Sequence, residues 1–571
     1  MTKRINRRDF LGGAAISSLP LIAGFSPAAT RHFATPETVV ADRSPSAISA
    51  AAMDDDLLEV TVAKLHRLYD ARKYTVSQVT HWYLDRIKRY NPVYRALIHV
   101  DTRGALATAA ALDGKGKAGA SGALWGVPIV IKSNTSVQGL VTSAGWYGYL
   151  VPGLELIAPK DAHVVAKLRA AGAVILAQTN MPDFAASDTN FSTAYGRTGN
   201  AYNVRYSPGG SSGGTVTAVT ANLCVLGTGT DTANSIRMPA ATSSVVGILP
   251  TRGLVSIAGI QPLDWLRDNT GPIARTTADA VLALDVMTGE DPLDFRTKGT
   301  ASLRQSGPYV KYLNPRSLNG KRFGVPAFMM DAPGASGSPG GTPLQPETRA
   351  AFMKALDGLR SAGATVVLDD TLLDASFNDV LRTMSTRPWV GEGTEIFLRE
   401  FGPKYYHSTA EYAIAVGAQM PATVRGATDA GGRGRAGDAP APAPQPARPV
   451  ASDPTAESTL WEPQRRALAA YEAALDKFHL DGLVYPAIQM PPTDEIAELT
   501  AGGRIGGPHS KTGWVNEICV PAVSVPAGFY ESGLPFNIEF SARRWRDGDL
   551  LGWVFAYEQA TKARRPPQLR A

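Results

Sequence analysis

Two cysteines in 571 residues, Cys224 and Cys519, exclude a disulfide framework, and a metal site would need other ligands. Each lies in an apolar stretch, as a small buried side chain would. Histidine is also scarce. His32, His66, His81, His99, His163, His407, His479 and His509 show no H-E-x-x-H or paired spacing, so metal catalysis has no support. All eight read as structural or exposed, and no metal or cofactor is expected. No block of five Lys or Arg occurs and the net charge is only +6, so nucleic-acid binding is not indicated. Outside the N-terminus no apolar run reaches the roughly 18 residues of a spanning helix. What is abundant is apolar residues, at 44%, and turn formers, with 56 Gly and 41 Pro. The first supports a large buried core; the second, about 17% of the chain against a usual ~12%, implies many turns.

The first 30 residues read as an address. Lys3, Arg4, Arg7 and Arg8 precede a modestly apolar run from Phe10 to Phe25 and then small residues, the three-part layout of an export signal. Asn6-Arg7-Arg8-Asp9-Phe10-Leu11 resembles a twin-arginine signal. The implied location is the periplasm or the exterior, with the twin-arginine export machinery as the precursor's partner. A basic anchor or a plain tail is the alternative. Cleavage fits near Pro27-Ala28-Ala29 or Phe33-Ala34. Residues 31–53 read as a tether.

From Leu57 the pattern becomes helical, with Leu65, Leu68 and Tyr69, then Val79, Tyr83 and Ile87, at helical spacing. Asn91-Pro92 is expected to end that helix. Val127–Ile131, Val174–Ala177 and Leu223–Leu226 read as buried strands, and Asp161 as the cap of a helix through Leu168. Strands alternating with helices argue an α/β fold. Residues 431–450 hold four Gly, five Pro and one large aliphatic side chain, Val450, so a flexible loop is expected over about 424–455, with a domain linker as the alternative.

Chemistry concentrates in three places. Ser207-Pro208-Gly209-Gly210-Ser211-Ser212-Gly213-Gly214 is a tight backbone path with exposed hydroxyls, leading into helix-compatible sequence. Alone it fits an anion nest, a linker or a nucleophile site. Downstream, Gly227-Thr228-Gly229-Thr230-Asp231-Thr232-Ala233-Asn234-Ser235-Ile236-Arg237 is again a strand end, a turn and a serine. Upstream, Gly126-Val127-Pro128-Ile129-Val130-Ile131-Lys132 ends a buried strand on a lysine.

These stretches, in this order, resemble the amidase signature family. Gly172–Met181, Gly271–Thr276 and Pro521–Gly528 extend the similarity over nearly the whole chain. The resemblance implies a single large mixed sheet covered by helices over 54–571, with Ser235 as acylated nucleophile, Ser211 as bridging serine and Lys132 as base. The peptide before Ser211 would be cis. The backbone N–H groups of Thr232, Ala233 and Asn234, with Ser235 as a candidate fourth, would form the oxyanion hole. Gly209, Gly210, Ser212, Asp231 and Arg237 would support the loops. The chemistry is self-consistent, since serine needs a base and lysine is one only when burial keeps it neutral.

Two departures stand out. Ala233-Asn234 replaces the family's Gly-Gly, and Ser133 stands where Asp often follows the lysine. Asparagine tolerates the left-handed region better than alanine, so Asn234 is expected to carry any unusual angle. The alternative is a role for its side chain. The implied activity is hydrolysis of a carboxamide or related acyl bond of a small-molecule substrate. A non-catalytic binding protein and the amidotransferase component that works on misacylated transfer RNA are the alternatives. A homodimer is compatible with all three. Residues from about 277 to 500 would set the substrate, with Trp389, Phe397, Tyr405, Tyr406 and Trp461 lining an aromatic pocket or packing in the core.

Replacing Arg7 and Arg8 together by lysine keeps the charge but loses the guanidinium geometry a receptor would read. Fractionation of expressing cells should then find precursor held in the cytoplasm. An unchanged exported yield would overturn the twin-arginine reading.

Overall fold

Every residue of the segment Ile129–Ile131 is apolar and has no exposure, and Val174–Ala177 is buried alike. Such runs belong to strands covered on both faces. The computed structural model describes residues 50–115, 122–330, 343–426, 449–503 and 506–570. The export signal over 1–30, including Arg7 and Arg8, and nearly all of the tether lie outside the described residues.

The strands are β1 (Leu97–Val100), β2 (Pro128–Lys132), β3 (Val174–Thr179), β4 (Phe191–Ser192), β5 (Gly196–Arg197), β6 (Leu226–Asp231), β7 (Val246–Leu249), β8 (Asn269–Ala274), β9 (Arg322–Val325), β10 (Thr365–Leu368), β11 (Gly482–Pro486), β12 (Ala522–Phe529) and β13 (Pro535–Ala542). Strands β4 and β5 pair only with each other. The other eleven form one sheet in the order β1-β3-β2-β6-β8-β7-β12-β13-β11-β9-β10. Pairing is parallel for β3–β2, β2–β6, β11–β9 and β9–β10, and antiparallel elsewhere. This is the expected α/β architecture of one large mixed sheet with helices over it. Residues from Ala51 onward form one compact unit. Among the described residues, no helix is long and apolar enough to cross a membrane.

Several local expectations need correction. A helix spans Ala50–Leu57, overlapping the end of the expected tether; its alanines favour helix. The helix Val76–Tyr94 opens with a Thr75/Gln78 capping box and runs through Pro92. Close to the end, a proline costs only one backbone bond. The stop comes at Arg95, in the left-handed region at φ 53°, and Asn91 brackets Leu97 through both its amide groups. Residues 223–225 are buried but not strand, because they close the helix Gly213–Thr220; β6 begins only at Leu226. Asp161 does not cap its helix. Its carboxylate accepts from Gln138 N at 2.7 Å and from Arg169 Nε at 2.8 Å. Of the expected loop over 424–455, residues 427–448 lie outside the described residues. Its flanks are ordered elements: Val424 is buried in the short helix Ala422–Arg425, and Val450 is buried with its N–H on Glu392.

Candidate active site

Parallel pairing of β2 with β6 places the C-terminal ends of both strands at one edge. Lys132 ends β2, and Thr230 and Asp231 end β6. Open α/β sheets carry their chemistry at such ends. The glycine-rich path enters the same place. Gly209 has φ 71°, which glycine adopts freely, and a Cβ on Gly210 would sit 2.3 Å from Thr189 O. The Gly210–Ser211 peptide is cis, as the resemblance implied.

Lys132 is fully buried. Its Nζ lies 2.7 Å from Ser211 Oγ, 3.0 Å from Ser212 Oγ and 2.9 Å from Thr230 Oγ1. Among the described residues no carboxylate comes within 4 Å of it. Burial pulls the lysine down to about 7, against the upward pull of Asp231 and Asp268 at a distance. The neighbouring hydroxyls are oriented. Ser212 Oγ donates to Thr230 O at 3.3 Å, and Thr230 Oγ1 also accepts from Asn134 Nδ2 at 3.1 Å. When Lys132 is neutral, two N–H bonds go to Ser212 and Thr230, and the lone pair is left facing Ser211 Oγ.

Ser235 follows on the next turn. Its carbonyl accepts from Ser212 N at 3.1 Å, tying the two serine loops together. No acceptor among the described residues takes the N–H groups of Thr232, Ala233, Asn234 or Ser235, and all four residues line one cleft of about 510 Å3. Asp231 holds the turn from behind. It accepts from Ile236 N at 3.0 Å and from Arg237 Nε at 3.2 Å. Arg237 is fully buried and also donates to Ala233 O at 2.7 Å, Asn516 Oδ1 at 2.8 Å and Glu539 Oε2 at 2.8 Å. Burial disfavours its charge, but Asp231 and Glu539 outweigh that and hold it protonated. On the other side Thr232 Oγ1 donates to Asp268 Oδ1 at 2.5 Å. Burial pushes Asp268 up to about 6.

Lys132, Ser211, Ser212, Asp231, Arg237 and the 232–235 turn are thus brought together as expected. Other expectations fail. Neither Ala233 nor Asn234 has a positive φ. The turn is held by Asp231, Arg237 and Asp268, so no left-handed residue is needed; instead the Asn234 side chain donates to Asp188 Oδ1 at 3.3 Å. His509, a partly exposed side chain in keeping with its expected role, lines the Ser235 cleft 3.5 Å from Asp188, whose carboxylate raises the imidazole above its ordinary value. Ser133 Oγ is buried without a partner. Of the aromatic candidates, Trp389 and Tyr406 are buried in the core and Tyr405 is exposed. Phe397 and Trp461 line a separate apolar pocket of about 410 Å3 whose lining includes none of Lys132, Ser211 and Ser235. A second cleft of about 360 Å3 does reach the site. It shares Ala233 and Asn234 and is walled by the apolar Phe328, Leu381, Met384 and Trp514 together with Asn378, Arg382, Lys511 and Glu517. Sequence reasoning missed Thr230, Asn134, Asp268, Asn516 and Glu539. Only the first two had a local signal, standing inside or beside the motifs.

The model of the amidase family matches residues 78–551. The chain belongs to the amidase family. Amide-hydrolysing enzyme chemistry comes with that membership. Among curated family members, a glutamyl-tRNA(Gln) amidotransferase component (the A chain of that enzyme) from Alkaliphilus metalliredigens is 30% identical over 517 residues, 88% of this chain and 96% of that one. The corresponding component from an Azoarcus species is 35% identical over 360 residues, 62% and 69% of the two chains. Among solved structures, the peptide amidase of Stenotrophomonas maltophilia superposes with a TM-score of 0.72 at 29% identity, covering 90% of this chain and 99% of that one.

Removing Arg237 would leave Asp231 and Glu539 buried and unpaired, a situation that costs about 3–5 kcal/mol. Arg237→Met should therefore lower the denaturation midpoint in urea by a corresponding amount, read by fluorescence. A loss under about 1 kcal/mol would show that the two carboxylates are held by other partners.

Proposed function

We propose that this family member hydrolyses a small-molecule carboxamide to acid plus amine or ammonia, through an acyl-enzyme on Ser235. The observation that carries the reading is Lys132: a fully buried amine 2.7 Å from Ser211 Oγ, with the hydroxyls of Ser212 and Thr230 placed to take its N–H groups when it is neutral. In this reading Ser211 gives its proton to Lys132 as it takes that of Ser235, and Ser235 Oγ attacks the carbonyl carbon. The N–H groups of the 232–235 turn receive the oxyanion; such donors are worth about 10²–10³ each in rate. The proton returns through Ser211 to the leaving nitrogen. Water then enters by the same relay and releases the acid.

The curated relatives favour a second reading, the glutamine-cleaving component of a transfer-RNA amidotransferase. It shares the acyl-enzyme half-reaction and differs in the fate of the nitrogen, which is transferred rather than released. The purified chain alone, given glutamine, aliphatic amides, anilides and peptide amides, separates the two. Release of ammonia or amine without any other component supports the hydrolase. Silence alone, with activity gained only beside partner proteins and charged transfer RNA, supports the amidotransferase.

Either way the base works only when neutral. With Lys132 drawn down to about 7 by burial, kcat/KM should be low in acid, rise through about pH 7 and level above it. Ser235→Ala should retain less than about a hundredth of the wild-type rate and lose fluorophosphonate labelling, and Lys132→Ala and Ser211→Ala should each lose several orders of magnitude. A flat profile between pH 5 and 9 would remove Lys132 as the base.

A further inference from the structure

Asn234 occupies a singular place. It immediately precedes Ser235 and forms part of the wall of both clefts. Its Nδ2 donates to Asp188 Oδ1 at 3.3 Å, and the other oxygen of Asp188 lies 3.5 Å from His509 Nδ1. A carboxylate accepts hydrogen bonds and has none to give. The carboxamide of Asn234 therefore has one stable orientation, with Nδ2 toward Asp188 and Oδ1 turned away. The flipped orientation would set two acceptor oxygens against each other. His509, when protonated, is an ion-pair partner for the other oxygen of that carboxylate. No donor among the described residues reaches Asn234 Oδ1, and that oxygen is not among the buried atoms left without a partner.

The turn thus offers two kinds of group to whatever binds beside Ser235. Its backbone supplies N–H donors, and its own side chain supplies one oriented acceptor. A carboxamide bearing an N–H matches both, because its C=O accepts and its N–H donates. An ester or an N,N-disubstituted amide matches only the first. We propose that Asn234 Oδ1, oriented by Asp188 and His509, accepts the N–H of the scissile amide and so selects amides bearing an N–H over esters. This rests on the reading of Ser235 as nucleophile. A site built to hydrogen-bond an N–H discriminates strongly against the analogue that lacks it, because its own polar group is then left unpaired.

The test is a matched p-nitroanilide and p-nitrophenyl ester of one acyl group, chosen from the substrates the purified chain accepts. The quantity read is the anilide-to-ester ratio of kcat/KM. In Asn234→Gly that ratio should fall at least fivefold relative to wild type. In Asp188→Asn, where the partner can donate as well as accept and no longer dictates the orientation, it should fall in the same direction. This second variant keeps the test open if the glycine variant folds poorly. A general loss of turn geometry lowers both substrates together and leaves the ratio where it was; that outcome, or a ratio unchanged in both variants, overturns the proposal. Ser235→Ala, run alongside, tests the nucleophile separately: turnover of both substrates must vanish there whatever the ratio does in the other two.

Discussion

An amine without water around it and without a carboxylate against it is the condition on which this site depends. Lys132 has no exposure, and its three near contacts are hydroxyl oxygens. Hydroxyl dipoles hold the nitrogen in place without compensating fully for the lost hydration of its charge, so the neutral form becomes accessible near pH 7. A carboxylate in contact would reverse this by stabilising the ammonium. The two carboxylates nearby, Asp231 and Asp268, are committed elsewhere. Asp231 is bound by Arg237 and the Ile236 N–H, and Asp268 accepts from Thr232. The buried arginine therefore serves two ends. It fixes the turn through Ala233 O, and it occupies the charge of Asp231, which would otherwise favour a protonated Lys132.

The sheet makes this arrangement possible. Parallel β2 and β6 end at the same edge, so a lysine on one and a threonine–aspartate pair on the other meet without a long loop. Antiparallel β8 flanks β6 and, with the loop before it, delivers Asp268 to Thr232. Farther along the sheet, β13 carries Glu539 beneath Arg237, and the short helix Trp514–Glu517 brings Asn516 to Asp231. Distant segments thus each contribute a polar contact to the back of the 232–235 turn, and the front of the turn is left to the cleft.

What could be read in the sequence were the groups whose role is set by their immediate neighbours. Lys132, Ser211 and Ser235 each sit in a local pattern of strand, turn and small residues that carries the family resemblance; the α/β class followed from alternating apolar runs, and the single mixed sheet from the resemblance. Glu539 and Asn516 lie 302 and 279 residues from Arg237, and nothing near either position signals a partner. Asp268 is equally silent until β8 is set beside β6. The expectation for Asn234 failed for a related reason. A glycine pair at such a turn invites a left-handed angle, but here side chains from distant segments fix the backbone, and the left-handed region is not used. Pro92 shows the same limit at the level of a helix: the local rule predicts a stop, while the bonds Asn91 makes to Leu97 decide where the chain turns.

The relatives carry two kinds of name, a glutamyl-tRNA(Gln) amidotransferase component and a peptide amidase, and the cluster of Lys132 and Ser211 does not choose between them. In the proposed reading, Lys132, Ser211 and Ser235 form the acyl-enzyme alike whether the amine leaves to solvent or is passed on. The choice must lie in surfaces that touch the rest of the substrate. Around Ser235 those surfaces are tied to the 232–235 turn, because Ala233 and Asn234 put a methyl and a carboxamide where a glycine pair would put none. Both residues line both clefts. One cleft joins Phe328, Leu381, Met384 and Trp514 to Asn378, Arg382, Lys511 and Glu517, and the other is lined mostly by small and polar residues with Asp188 and His509 at one side. Whatever enters either cleft therefore meets side chains that belong to the turn itself, so the turn takes part in shaping both.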